Sequence, residues 1–118
     1  MRGLFAHDAV LSIGPKEDIR APGAAVTVAL CGHWEHEPPC PLAPHHTRAE
    51  RDGEDAHLRI LFAAAPADEV EVRARIDGAL GEGELAGPAG VTRWRLVSSG
   101  AGSVSDAERD HAERLAAT

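Results

Sequence analysis

Between Cys31 and His46 the chain reads CGHWEHEPPCPLAPHH, and Pro38, Pro39, Pro41 and Pro44 bar regular structure from most of it. Proline removes a backbone donor and fixes φ, so neither a helix interior nor a central strand can run through such a segment. Any core must therefore be assembled from the chain on either side. The same stretch holds both cysteines and four of the seven histidines. A Cys and His density of this kind points to metal chemistry rather than to packing.

The rest of the chain is read for what it can pack. At 118 residues it is expected to form a single domain, residues 1–118, with one modest core. Tyr is absent, and Phe5, Phe62, Trp34 and Trp94 are the aromatic residues, so the core is left to Ala, Val, Leu and Ile.

Residues 4–13 are apolar and stop at Gly14-Pro15, which predicts a first strand. Residues 24–35 alternate, with Val26, Val28 and Leu30 against Thr27, Ala29, Cys31, His33 and Glu35, which predicts a second. A Cys/His/Pro-rich loop without periodicity is expected at about 36–55. Residues 57–64 predict a third strand through Leu58, Ile60 and Phe62. A helix is expected from Pro66, with Val72, Ile76, Ala79 and Leu80 as its buried stripe and Gly81 or Gly83 at its end.

Residues 81–90 then read as a flexible connection and 91–98 as a fourth strand, with Arg93 and Arg95 on one face. Ser105-Asp106-Ala107-Glu108 spells a capping box at the start of a second helix. The order β-β-β-α-β-α predicts an α+β fold, a two-layer sandwich of two helices on a four-stranded, mainly antiparallel sheet. The third strand, the helix and the fourth strand would form a crossover that leaves those two strands parallel. Two free sheet edges would suit a homodimer.

The net charge of −7, with Lys16 the single lysine, sets nucleic acid aside as a partner, because that partner needs a basic face. Neither a signal peptide nor a membrane-spanning stretch is legible, so a soluble cytoplasmic protein without a membrane partner is expected. There two cysteines act as thiols or ligands.

The expected metal ligands are Cys31, His33, His36, Cys40, His45 and His46. Four of these would complete a tetrahedral zinc site; thiolate with imidazole suits a copper ion second. On a strand, Cys31 and His33 would leave the same face. The spacing matches no zinc-finger pattern and lacks HExxH. Three functional classes follow. The first is a small metal-binding protein. The second is a metal-dependent enzyme with an open ligand position and Glu35 or Glu37 as general base. The third is a metal-free interaction module. GAGS at 100–103 lies between a predicted strand and helix, a weak anion-site signal. His7 and His111 stand apart in the sequence.

Overall fold

The computed structural model describes residues 3–31, 43–88 and 90–117. It is a mixed α/β fold with a four-stranded antiparallel sheet, a two-stranded sheet and three helices. The elements are β1 (Gly3–Ser12), α1 (Ala21–Cys31), β2 (His45–Asp52), β3 (Asp55–Ala64), α2 (Glu69–Glu82), β4 (Glu84–Gly87), β5 (Gly90–Arg93), β6 (Arg95–Gly102) and α3 (Arg109–Ala116). No helix among the described residues is long and apolar enough to cross a membrane.

The main sheet runs β2-β3-β1-β6, and each neighbouring pair is antiparallel. Strands β1 and β2 flank β3 and so run parallel to one another, as do β3 and β6 about β1. Helix α1 carries the chain from β1 to β2, and α2 with the β4–β5 hairpin carries it from β3 to β6. Two β-α-β units thus interleave, the split β-α-β arrangement. The expected parallel relation of the third strand to the last is present, but β1 lies between them.

Alternation divides the sheet's residues between two faces. On the inner face Ala9, Leu11, Ile13, Leu58, Ile60 and Phe62 are buried beneath Val26 and Leu30 of α1 and Val72, Ile76 and Leu80 of α2. Each such Leu or Ile contributes roughly 1.5–3 kcal/mol through burial. The outer face buries Ala6, Leu61 and Ala63, and Ala112 of α3 is fully buried as well. Helix α3 reaches this outer face, where Glu108, just ahead of it, meets Arg59. The two-layer expectation is therefore corrected: helices lie on both faces.

Three other expectations fail for identifiable reasons. Residues 21–31 are a helix where a strand at 24–35 was expected. Val26, Thr27 and Val28 favour strands in isolation, but burial against α2 decides the outcome. Arg75 of α2 also donates to the Ala29 carbonyl at 3.3 Å, near the helix end where carbonyls lack intrahelical partners.

Second, the loop expected at 36–55 contains β2. Its residues His45, Thr47, Ala49 and Arg51 are half-buried while His46, Arg48, Glu50 and Asp52 are exposed, a period-2 pattern with no apolar signature. The turn to β3 is two residues long, between paired Asp52 and Asp55, with Gly53 at φ +62°. Glycine at the first central position suits a type II′ hairpin.

Third, residues 81–98 are not one connection and one strand. They form the β4–β5 hairpin and the start of β6, broken at Trp94. Trp94 donates its backbone N–H to the Gly83 carbonyl at 2.9 Å, and a Cβ at Gly83 would meet the Trp94 carbonyl at 2.8 Å. The expected helix over 69–82 is present, with Val72, Ile76, Ala79 and Leu80 all buried and Gly83 left-handed at its end. The capping box at Ser105 and Glu108 is also present.

Candidate metal site and its neighbouring polar clusters

The expected ligands enter the structure from the two ends of the proline-dense segment. Cys31 is the last residue of α1, and His45 and His46 are the first two of β2. His33, His36 and Cys40, together with Trp34, Glu35 and Glu37, lie outside the described residues. Because Cys31 ends a helix, the geometry expected of a Cys31–His33 pair on one strand face does not apply.

Helix α1 and strand β2 meet beside the segment. Thr27 of α1 lies 2.9 Å from His45, Oγ1 to Nε2. Cys31, the last residue of α1, follows Thr27 by four residues, about one helical turn. Gly23 allows this close approach, since a Cβ there would sit 3.0 Å from Cγ2 of Thr47. Beside Thr27, His45 and Thr47 is a cavity of about 350 Å³. The Thr47 hydroxyl oxygen is buried in this region without a hydrogen-bond partner among the described residues. Ala43 is fully buried, and the Pro44 carbonyl accepts from the Ala63 amide at 3.0 Å, which fixes how the chain enters β2.

The His45 ring has a defined orientation. Its Nδ1 lies 3.1 Å from the Ala43 carbonyl, which can only accept, so Nδ1 carries the proton. In the neutral ring the lone pair then belongs to Nε2. The Thr27 hydroxyl beside it has an alternative acceptor in the Gly23 carbonyl at 3.2 Å. An imidazole anchored through one nitrogen to a backbone carbonyl, with the other carrying a lone pair, is the form in which histidine ligates metals.

His46 faces the other way. Adjacent strand residues leave opposite faces, and the His46 ring packs on His111 of α3, with centroids 4.5 Å apart and planes tilted by 54°. One ion therefore cannot take both His45 and His46 while β2 keeps its register. Loss of solvent around His46 holds its pKa below the ordinary histidine value, and the nearby His111 and Arg48 charges add to this. The expectation that His111 stands alone is corrected.

His7 is likewise not alone. It is 2% exposed and belongs to a cluster absent from the sequence reading. Its Nδ1 lies 2.9 Å from Nη1 of Arg73, and its Nε2 is 2.8 Å from Oγ of Ser99 and 3.1 Å from Oδ1 of Asp77. Ser99 donates to Asp77 at 2.5 Å. The residue types are those of a serine hydrolase, but the proton is on the wrong nitrogen. Arginine only donates, so Nδ1 must accept and Nε2 carries the hydrogen. A general base needs a free Nε2 facing the serine and an Nδ1–H facing the carboxylate. The cluster is a satisfied polar network linking β1, α2 and β6.

Arg59 on the outer face is held by both Asp8 at 2.9 Å and Glu108 at 2.7 Å. The guanidinium pulls the Glu108 carboxyl down to about 2, and the Ser105 amide and hydroxyl assist. Gly100 and Gly102 lie within β6 and pair with Asp8 and Ala6, so the first three residues of GAGS are strand rather than an anion-binding turn. Arg93 and Arg95 fall on either side of the break at Trp94, and Arg93 lies 3.7 Å from Glu84.

Among the described residues no group of three or more His, Cys, Asp or Glu side chains is gathered as a metal site. No protein-family model matches the chain, and no curated protein or solved structure matches it significantly.

Proposed function

We propose that this chain is a small metal-binding protein whose ion, zinc before copper, is held where α1 gives way to β2. The ligands would come from Cys31, His33, His36, Cys40 and His45, with His46 left to the opposite sheet face. The observation that carries this reading is the state of His45. Its Nδ1 is anchored to the Ala43 carbonyl, and its Nε2 lies on Thr27, one helical turn ahead of Cys31. That supplies an oriented imidazole beside the helix end that carries a thiol, at the mouth of the segment with the remaining ligands. Thiolate and imidazole in tetrahedral array suit zinc, and both also suit copper. A protein-ligated ion of this kind contributes directly to the folding of the segment that supplies its ligands.

The test is metal analysis of untagged protein purified without chelators, followed by zinc titration of the reduced apo-protein. About one equivalent bound with high affinity is expected, with loss in Cys31→Ser and His45→Ala. Undiminished high-affinity binding in both variants, or none in the parent protein, would refute the proposal.

A further inference from the structure

We propose that His46 and His111 form a second site, for a borderline divalent cation such as zinc, nickel or copper(II), bridging strand β2 and helix α3. It stands on residues separate from Cys31 and His45 and does not depend on the site proposed above.

The two imidazoles come from different elements and meet with ring centroids 4.5 Å apart and planes tilted by 54°. An ion about 2.0–2.1 Å from one nitrogen of each ring would place the ring centres roughly 4.5–5 Å apart. The observed separation lies at the short end of that range. The rings border a cavity of about 200 Å³ that also touches Arg48, Arg59 and Glu108.

The charges around the cavity define what it can take. Arg59 is balanced by Asp8 and Glu108, and Arg48 lies 3.6 Å from Glu50. Both Glu108 oxygens already accept hydrogen bonds, Oε2 from Arg59 and Oε1 from Arg59 and Ser105. Glu108 is therefore spent as a partner of Arg59, and water would fill the remaining coordination positions. Two imidazole nitrogens from separate elements are donors of the kind that zinc, nickel and copper(II) take. With Arg48 and Arg59 already paired to carboxylates, the two rings are the polar groups left at the cavity to hold a ligand. An ion held by both rings would pin the eight-residue helix α3 to the sheet edge.

The test uses a Cys31→Ser, His33→Ala, Cys40→Ser variant of the full chain, in which the other proposed site is disabled. Zinc or nickel chloride at a hundred-fold excess over the measured dissociation constant should raise its melting temperature by roughly 5–15 °C. Adding His111→Phe, which keeps a ring against His46 but removes its nitrogens, should abolish that shift and weaken binding at least tenfold. His46→Phe should do the same. Equal binding with and without these substitutions would overturn the proposal. So would an absence of any shift, or stabilisation by inorganic phosphate in place of the metals. If the parent protein fails to bind at Cys31 and His45 yet this response persists, only the first site is lost.

Discussion

Trp94 donates its indole N–H to the carbonyl of Leu80, 2.9 Å away, so the residue that interrupts the β5–β6 strand closes the last turn of α2. That carbonyl is among those a helix leaves without an internal partner. Trp94→Phe keeps an aromatic ring but strands the carbonyl, and is expected to cost about 1–2 kcal/mol. Trp94→Ala also opens a cavity and should cost about 3–5 kcal/mol. Urea denaturation of the two variants separates the hydrogen bond from the packing.

Glu108 sets a pH window for the docking of α3. Its folded pKa of about 2 lies below the ordinary 4.5, so its contribution is complete above that ordinary value. It is lost as pH falls from 4.5 towards 2. Glu108→Ala is expected to cost about 2 kcal/mol at neutral pH, as for other hydrogen bonds to charged groups. The difference from the parent protein should shrink steadily below pH 4.5. Urea midpoints at several pH values check this, and a constant difference down to pH 2 would rule out the Arg59–Glu108 pair as its source.

The His7 network predicts stability without nucleophilic chemistry. His7→Ala would leave Arg73, Asp77 and Ser99 around an empty space, at an expected cost of roughly 2–4 kcal/mol. Ser99→Ala should cost only about 1 kcal/mol. A fluorophosphonate reagent should leave Ser99 unlabelled, because Nε2 cannot take its proton. Labelling of Ser99 would reverse the tautomer assignment.

Gly102 borders the Asp8–Arg59 pair, and a Cβ on it would lie 2.7 Å from Nη1 of Arg59 and closer still to the Asp8 carboxylate. Gly102→Ala should therefore displace the pair and destabilise the protein by about 1–2 kcal/mol. In an Asp8→Ala background the same substitution should cost less. A double-mutant cycle measures the coupling, and strict additivity would remove the steric explanation.

Elements with a strong apolar signature were legible in the sequence. The first strand, the strand through Leu58, Ile60 and Phe62, and the helix with Val72, Ile76, Ala79 and Leu80 all form where periodicity places them. Those misread carry a competing signal. Val26-Thr27-Val28 spells strand but is captured by helix packing. The β2 strand alternates polar residues by burial and not by type; Asp52-Gly53 between its end and Asp55 was the available hairpin cue. At the candidate site, clustering identified a stretch but not which face each histidine would serve. Polar side chains carry no hydrophobic phase from which to infer it. The encounters of His7 with Asp77 and Ser99, and of His46 with His111, span most of the chain and leave no local trace.

The first strand occupies an interior position in the sheet, paired with residues 55–64 on one side and 95–102 on the other. During synthesis it leaves the ribosome before either partner and must wait for both. The helix that follows it can form early, but the sheet closes only when β6 arrives. Folding should accordingly run at the pace of long-range closure rather than of helix formation. The apolar strand that becomes the middle of the sheet presents two unpaired edges until β3 arrives and one until β6 does, and in this interval the nascent chain is most open to misassociation.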